Sequence, residues 1–227
     1  MPRILVFDVN ETLLDVTALE PHFARIFCDK TMLRKWFNQV IQYAEAFTLA
    51  GDYQRFGDVA RSALEMTAEA YGVRVSGEDV QAIVGGISKL PAHTDVPAGL
   101  SRLKSAGFRM VTLTNSPPAV VDAQMKKANI DKYFERNFSV DAVRKYKPAP
   151  EPYRMVASEL GVEKGQLRMI AAHAWGVGGA MRAGCAAAFI ARPGKAVFPL
   201  FPKPDIIGRD LNEVSLAILK IEAAAAR

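Results

Sequence analysis

A carboxylate follows directly on the first apolar run of the chain. Arg3-Ile-Leu-Val-Phe7 stops abruptly at Asp8, and Thr12 lies four residues on. An Asp at the end of a strand can cap a turn. At the C-terminal end of a buried parallel strand it also stands where open α/β sheets place their ligands, and there it can serve as a nucleophile. Three further polar groups sit at comparable points. Thr114-Asn115 closes the run Arg109–Thr114, Lys147-Pro148 comes next with Tyr153 six residues beyond, and His173-Ala174-Trp175-Gly176 follows the run Arg168–Ala172. Singly, Thr114 could be a cap, Lys147 a solvated loop charge and His173 a satisfied core histidine. Together, an acid, a hydroxyl, an ammonium and an imidazole suit covalent catalysis by carboxylate, provided that the fold gathers the four strand ends.

The elements that must position these groups follow from the apolar periodicity. Arg3–Phe7 is short, apolar and rich in branched side chains, as expected of a strand buried on both faces. From Asp15 to about His93 the pattern is helical. Thr17-Ala-Leu-Glu20 has the form of a capping box, and Leu19, Phe23, Ile26 and Phe27 share one face. Leu33, Trp36, Phe37, Val40, Ile41, Ala44 and Phe47 predict a second, longer helix broken at Gly51-Asp52. Phe56 to Ala68 predicts a third, closed near Gly72, and Val80 to Ile87 a fourth, introduced by Ser76.

After Pro97 helices and strands alternate. Helices are expected over Ala98–Ala106, from Pro117 (capped by Ser116) to about Asn129, over Glu151–Leu160 and over Val177–Ala183. Strands are expected at Arg109–Thr114, Phe138–Val140, Arg168–Ala172 and Ala186–Ala191, with an edge strand at Asp205–Ile207. Asp210 with Glu213 caps a last helix that frays over Ala223–Arg227. The alternation implies an α/β fold, a doubly wound, Rossmann-like parallel sheet covered on both faces. All four polar strand ends then project into one crevice. The helical stretch reads as an inserted all-helical cap, residues 15–94, over a core made of residues 1–14 and 95–227.

Composition excludes several classes. The chain has 227 residues, half of them apolar and 23% charged, which is ordinary for a globular protein. No apolar run approaches the roughly 20 residues of a membrane span, and no secretory leader is expected. The net charge of +5 is scattered, with Arg144-Lys145-Tyr146-Lys147 the one tight group, so a solvated basic surface is expected rather than a nucleic-acid site. Such a potential also steers small anions. Cys28 and Cys185 are expected to be reduced, which points to a cytoplasmic setting.

These motifs resemble the haloacid dehalogenase superfamily over nearly the whole chain. Its pattern of nucleophilic Asp, strand-end Ser or Thr, and Lys is matched by Asp8, Thr114 and Lys147, and its cap insertion by residues 15–94. Thr114-Asn115, Ser139-Val140-Asp141, Tyr146-Lys147-Pro148, Tyr153 and His173-Ala174-Trp175 are similar to the type II 2-haloacid dehalogenases. Charge separates these from the superfamily's phosphatases, which neutralise phosphate with Mg²⁺ held by several carboxylates. The phosphatases' second Asp is here Asn10, Ala171–Gly179 contains no acid, and Glu11 would normally face away. No metal and no cofactor are therefore expected.

The resemblance implies that Asp8 attacks the α-carbon of a short, anionic 2-haloalkanoate, expels halide and forms an ester that water hydrolyses. Lys147 would keep Asp8 ionised, Thr12 and Thr114 would hydrogen-bond the nucleophile or the substrate, and Asn115 would solvate the halide. Asn10, Glu11, Asn38, Tyr153 and Trp175 are the expected substrate-side residues, with Tyr153 buttressing Lys147 or lining the pocket. The family also suggests a homodimer. Two positions depart from the type II pattern. Asn38 stands near the place of the cap arginine that receives the halide, with Arg34 one turn away. Gly176 replaces the Asp that supports the lysine and the hydrolytic water. Either His173 acts as the base instead, or the second step stalls. The alternatives are a Mg²⁺-dependent phosphatase and a member that binds without turning over.

Overall fold

The computed structural model describes residues 2–224. Among them, six parallel strands form one sheet: β1 (Ile4–Phe7), β2 (Met110–Thr114), β3 (Arg136–Ser139), β4 (Leu167–Ala171), β5 (Ala186–Ile190) and β6 (Ile206–Gly208). Their order across the sheet is β3-β2-β1-β4-β5-β6. The first strand is therefore central, and the chain order reverses on either side of it. That reversal opens a crevice at the carboxyl ends of β1 and β4, where α/β folds bind ligands. Phe7 lies opposite Thr112 on one side and Ile170 on the other, so Asp8, the end of β2 and the end of β4 reach the same level. Every residue of β1, β2 and β4 is buried, in keeping with their largely apolar sequences; the exception in β4, Arg168, is paired with Asp205 and Glu222.

Helices α1 (Glu20–Phe27), α2 (Met32–Leu49), α3 (Phe56–Ala70) and α4 (Gly77–Val84) intervene between β1 and α5 (Val96–Ser105). Their buried side chains gather around Trp36, which is wholly buried, lies 5.3 Å from the Phe23 ring and donates its indole N–H to the Ala60 carbonyl at 2.9 Å. Truncating such a residue costs about 3–5 kcal/mol. Two connections lead into and out of this helical insertion side by side: Asp15 donates its backbone N–H to Pro91 at 2.8 Å and His93 donates to Leu13 at 2.9 Å. The α2–α3 turn grips the loop that carries Lys147. There the Tyr146 hydroxyl donates to the Gln54 carbonyl at 2.6 Å, and the Tyr146 backbone N–H donates to Thr48 Oγ1 at 3.0 Å.

The remaining helices are α6 (Pro118–Lys127), α7 (Pro150–Leu160), α8 (Ala174–Arg182) and α9 (Leu211–Ala224). Several local expectations are corrected. The Thr17–Glu20 capping box does not form: Asp15 caps a 3₁₀ turn over Val16–Leu19, taking the Thr17 N–H and hydroxyl, and α1 starts after it. Ser116 does not cap α6, whose N-cap is Pro117 and whose first residue is Pro118; its hydroxyl instead accepts from Asn10. Helix α8 starts at Ala174 rather than Val177, because small residues pack as easily into a buried helix as into a turn. At Ser76 the capping box is complete, with Asp79 as the reciprocal partner. The Asp210 carboxylate accepts from the Glu213 N–H at 2.8 Å at the start of α9. The fraying expected over Ala223–Arg227 concerns side chains, and beyond Ala224 backbone, outside the described residues.

Candidate active site

Asp8 follows β1 directly and is 5% exposed. One carboxylate oxygen, Oδ1, accepts from Lys147 Nζ at 2.7 Å. The other, Oδ2, accepts from the Thr12 hydroxyl at 2.6 Å and from His173 Nδ1 at 3.0 Å. Burial alone would raise this carboxyl. The Lys147 charge and the hydrogen bond and charge of His173 outweigh it, so Asp8 titrates well below the usual carboxylate range. Thr12 is fixed from both ends: its Oγ1 accepts the Ala172 N–H at 2.9 Å, and the buried Arg192 guanidinium donates to its carbonyl at 2.9 and 3.3 Å. Arg192 in turn pairs with Asp95 at 2.7 Å.

Lys147 is 1% exposed, and its ammonium also donates to the Leu113 carbonyl at 2.6 Å. Its backbone N–H donates to Asn115 Oδ1 at 3.3 Å, so Asn115 ties the lysine loop to the end of β2. Thr114 does not hydrogen-bond to Asp8; its Oγ1 accepts the Ser116 N–H at 3.1 Å and shapes the turn after β2. Tyr153 does not hydrogen-bond to Lys147 either. It is buried, and its hydroxyl donates to the Gly176 carbonyl at 2.9 Å, fixing the first turn of α8. Burial, with the Asp8 charge in support, pushes that phenol well up, so it remains a donor. The Asn10 amide is turned away from the expected substrate side: Nδ2 donates to Ser116 Oγ at 3.2 Å and Oδ1 accepts from Gln124 at 2.8 Å.

Glu11 departs most from expectation, because it faces inward. Its backbone is left-handed, with φ +60°, a conformation costing about 1–3 kcal/mol in a residue with a side chain. This turn carries the Glu11 carboxylate to His173, where Oε2 accepts from Nε2 at 2.7 Å and from Lys195 Nζ at 2.7 Å. Burial works against a charge on His173. The hydrogen bonds to Asp8 and Glu11, and their charges, outweigh it, and the ring titrates above its ordinary value. Each ring nitrogen of His173 faces a carboxylate oxygen, which can only accept, so the geometry is that of an imidazolium donating at 3.0 Å and 2.7 Å with no lone pair free for a base. The Glu11 carboxyl is lowered by His173 and Lys195 against its own burial. Trp175 stacks on His173 at 4.7 Å and 20°, with the Lys147 ammonium 6.0 Å from its ring centroid.

A cleft of about 440 Å³ opens over this group, lined by Glu11, His173, Trp175 and Lys195 from one side and by Arg34, Asn38 and Glu45 of α2 from the other. Burial raises the Glu45 carboxyl, with the His173 charge opposing. Lys195, Arg192 and Glu45 are the residues that the sequence did not single out. Each lies outside any motif and is brought in by the loop after β5 or by α2. A divalent cation does not fit this donor set. Both Asp8 oxygens and the engaged Glu11 oxygen already serve ammonium, hydroxyl or imidazolium donors, Asn10 is committed elsewhere, and three cationic groups crowd the site. At Gly176 a Cβ would lie 3.6 Å from His173 Cβ and 3.8 Å from Ala171 Cβ, so space does not impose the glycine.

A buried Asp–Lys pair at the switch point of a doubly wound sheet, beneath a helical insertion, sets an ionised carboxylate where open α/β sheets bind ligands. The family model for haloacid dehalogenase-like hydrolases matches residues 2–184, and the chain belongs to that family. It is 29% identical over 180 residues to (S)-2-haloacid dehalogenase 1 of Pseudomonas sp. (strain CBS-3), covering 78% of this chain and 79% of that one. It is 27% identical over 184 residues to (S)-2-haloacid dehalogenase 4A of Burkholderia cepacia, covering 80% of each. The crystal structure of the L-2-haloacid dehalogenase RSc1362 superposes with a TM-score of 0.91 at 26% identity, covering 96% of this chain and 99% of that one.

Proposed function

We propose that the protein hydrolyses short 2-haloalkanoic acids to 2-hydroxy acids through an ester on Asp8, without a metal. The observation that carries this reading is the Asp8 carboxylate, held ionised by Lys147 at 2.7 Å in a site whose carboxylates are already paired with protein cations. An ionised, desolvated carboxylate is a competent nucleophile toward an alkyl halide. It attacks the α-carbon from the side opposite the halogen, the C–O bond forms as the C–halogen bond breaks, and halide leaves with the bonding electrons. The residues of this chain supply three things. Lys147 and Thr12 orient the carboxylate, Asn115 and the cations at the cleft rim solvate the leaving halide, and Trp175 walls the cleft. Arg34, at the cleft rim, faces the substrate carboxylate. The similarity to (S)-2-haloacid dehalogenases supports the substrate class, and residues 15–94 act in this reading as a cap closing the site.

A second reading rests on Gly176: without a carboxylate there, the site could bind 2-haloacids, or be alkylated by them, without turning over. Chloride release from each enantiomer of 2-chloropropionate, measured beside phosphate release from a generic ester with added Mg²⁺, separates the readings. Sustained chloride release supports the proposal. Chloride stopping at one equivalent supports the second reading, and phosphate release without chloride refutes both. No helix among the described residues is long and apolar enough to cross a membrane. The unpaired Cys28 and Cys185 accord with the reducing, cytoplasmic setting that this reading includes.

A further inference from the structure

We propose that Glu11 and His173 form a dyad that carries out the second half-reaction, replacing the carboxylate that Gly176 does not supply. The inference rests on the dehalogenase reading above and concerns only the hydrolysis of the Asp8 ester. The geometry is that of a three-member relay. Glu11 Oε2 accepts from His173 Nε2 at 2.7 Å, and His173 Nδ1 faces Asp8 Oδ2 at 3.0 Å. Lys195 at 2.7 Å holds Glu11 from behind, and Trp175 fixes the plane of the imidazole by stacking at 4.7 Å. The same constellation of orienting carboxylate, imidazole and acylated oxygen hydrolyses acyl-enzymes on unrelated folds.

Asp8 Oδ2 is the oxygen on the His173 side, and His173 lines the cleft, whereas Lys147 lies buried behind Oδ1. Alkylation at Oδ2 cancels the Asp8 charge. The imidazolium then loses one of the two anions that stabilise it and releases its Nδ1 proton to solvent, while Glu11 keeps the Nε2–H in place. The neutral ring accepts a proton from water as the water oxygen bonds to Asp8 Cγ. Lys147 steadies the negative charge that develops on Oδ1. The Cγ–Oδ2 bond breaks, and the departing alkoxide takes the proton from His173. The carboxyl formed at Asp8 returns its proton to the ring. The net change is ester, water and neutral imidazole giving hydroxy acid, Asp8 carboxylate and imidazolium, so the resting ion pair is restored. The strained backbone of Glu11 fits this role, since φ +60° is what turns its side chain inward.

The test follows wild type, Glu11→Gln and Lys195→Met with (S)-2-chloropropionate. Rapid-quench chloride release reports the first step, intact mass reports the Asp8 ester, and the pH profile of ester hydrolysis reports His173. The charged groups facing His173 are Asp8, Glu11, Glu45 of α2, Lys147 across Asp8 and Lys195 behind Glu11. In Glu11→Gln the first equivalent of chloride should appear within about tenfold of the wild-type rate. Steady-state turnover should fall roughly 10²-fold or more, as expected when general acid–base catalysis is impaired, and the ester should accumulate. The acid limb of the hydrolysis profile should move down in pH for Glu11→Gln and up for Lys195→Met, because one substitution removes an anion beside His173 and the other a cation. Glu11→Asp should restore part of the turnover. A purely structural role would slow both steps together and leave the two limbs unmoved. That outcome, wild-type turnover in Glu11→Gln, or an ester that persists in the wild type would each overturn the inference while leaving the first step intact. Absence of any chloride from the wild type overturns the dehalogenase reading and the inference with it.

Discussion

Replacing Lys147 by Met tests the central ion pair, since Met fills the volume of the lysine stem and removes only the ammonium. At 2.7 Å, two unit charges in a protein-like dielectric attract by roughly 6 kcal/mol. Much of that attraction is offset by desolvation, because Lys147 and Asp8 are 1% and 5% exposed. Removing one partner of a buried pair costs about 3–5 kcal/mol, since the other charge stays buried. The Leu113 carbonyl also loses its donor, at about 1 kcal/mol. His173 still faces Asp8 at 3.0 Å and keeps it ionised, so the lower end of that range is expected. For a chain of this length a 3–5 kcal/mol loss lowers Tm by roughly 6–20 °C. The sign with pH follows from the depressed folded pKa of Asp8. The gap between wild type and variant should be full above the unfolded carboxylate value and close as pH falls through the folded one. Losing a preorganised donor should also slow first-turnover chloride release by about 10²–10³-fold. Urea unfolding across pH and rapid-quench chloride assays measure both. A Lys147→Met protein as stable as wild type at pH 7, releasing its first chloride at an unchanged rate, would refute the assignment of Lys147 as the group that holds the nucleophile.

Other consequences can be checked separately. Gly176→Ala should be tolerated or stabilising by about 0.5–1 kcal/mol in thermal melts, because the new Cβ meets only ordinary contacts in a helical turn. Gly179→Ala should destabilise and disturb Lys147, since its Cβ would lie 2.6 Å from the Pro148 carbonyl oxygen. His173 has a raised folded pKa, so its pairing stabilises fully below the unfolded histidine value and is lost as pH rises through the folded one. The difference in urea stability between wild type and His173→Gln should therefore be larger at pH 6 than at pH 9, and a difference that grows with pH would contradict the imidazolium assignment. Arg34→Ala should raise KM for 2-chloropropionate about tenfold with kcat little changed, the effect of losing roughly 1.4 kcal/mol of charge-assisted binding at an exposed rim. An equal fall in kcat would instead place Arg34 at the departing halide.

The sequence carries the parts of the site that lie at strand ends and loses those that depend on long-range packing. Asp8, Thr114 and Lys147 each follow a recognisable apolar run or motif, and a parallel sheet with β1 at its centre brings those ends together whatever the loops do. The orientation of Glu11 is not legible in the sequence, because its inward turn depends on a left-handed residue that nothing local demands; the His93 side chain against the Glu11 carbonyl at 3.2 Å and the His173 partner hold it there. Lys195 and Arg192 come from the loop after β5 and join the site only because β5 lies beside β4. Ser116 and Asn10 carried plausible local roles, a cap and a substrate contact. The structure uses them on each other, since two buried polar groups at one corner satisfy each other more readily than either finds a partner outside.

The balance of charge in the crevice bears on which step the site favours. Three carboxylates, Asp8, Glu11 and Glu45, face three cations, Lys147, His173 and Lys195, with Arg34 a fourth at the rim. A site with surplus positive charge draws in a small carboxylate and accommodates the halide that departs, and it repels the divalent cation that a phosphoryl group would need. The same arithmetic changes once Asp8 is alkylated. Its negative charge disappears while the cations remain, so the group that can shed a proton most readily should do so, and His173 is the one whose ordinary value lies nearest neutrality. The pairing that makes Asp8 a nucleophile in the first step is thus the pairing whose loss frees an imidazole for the second. On the proposed dyad, a carboxylate at position 176 is one of two ways to supply the base rather than a requirement of the chemistry.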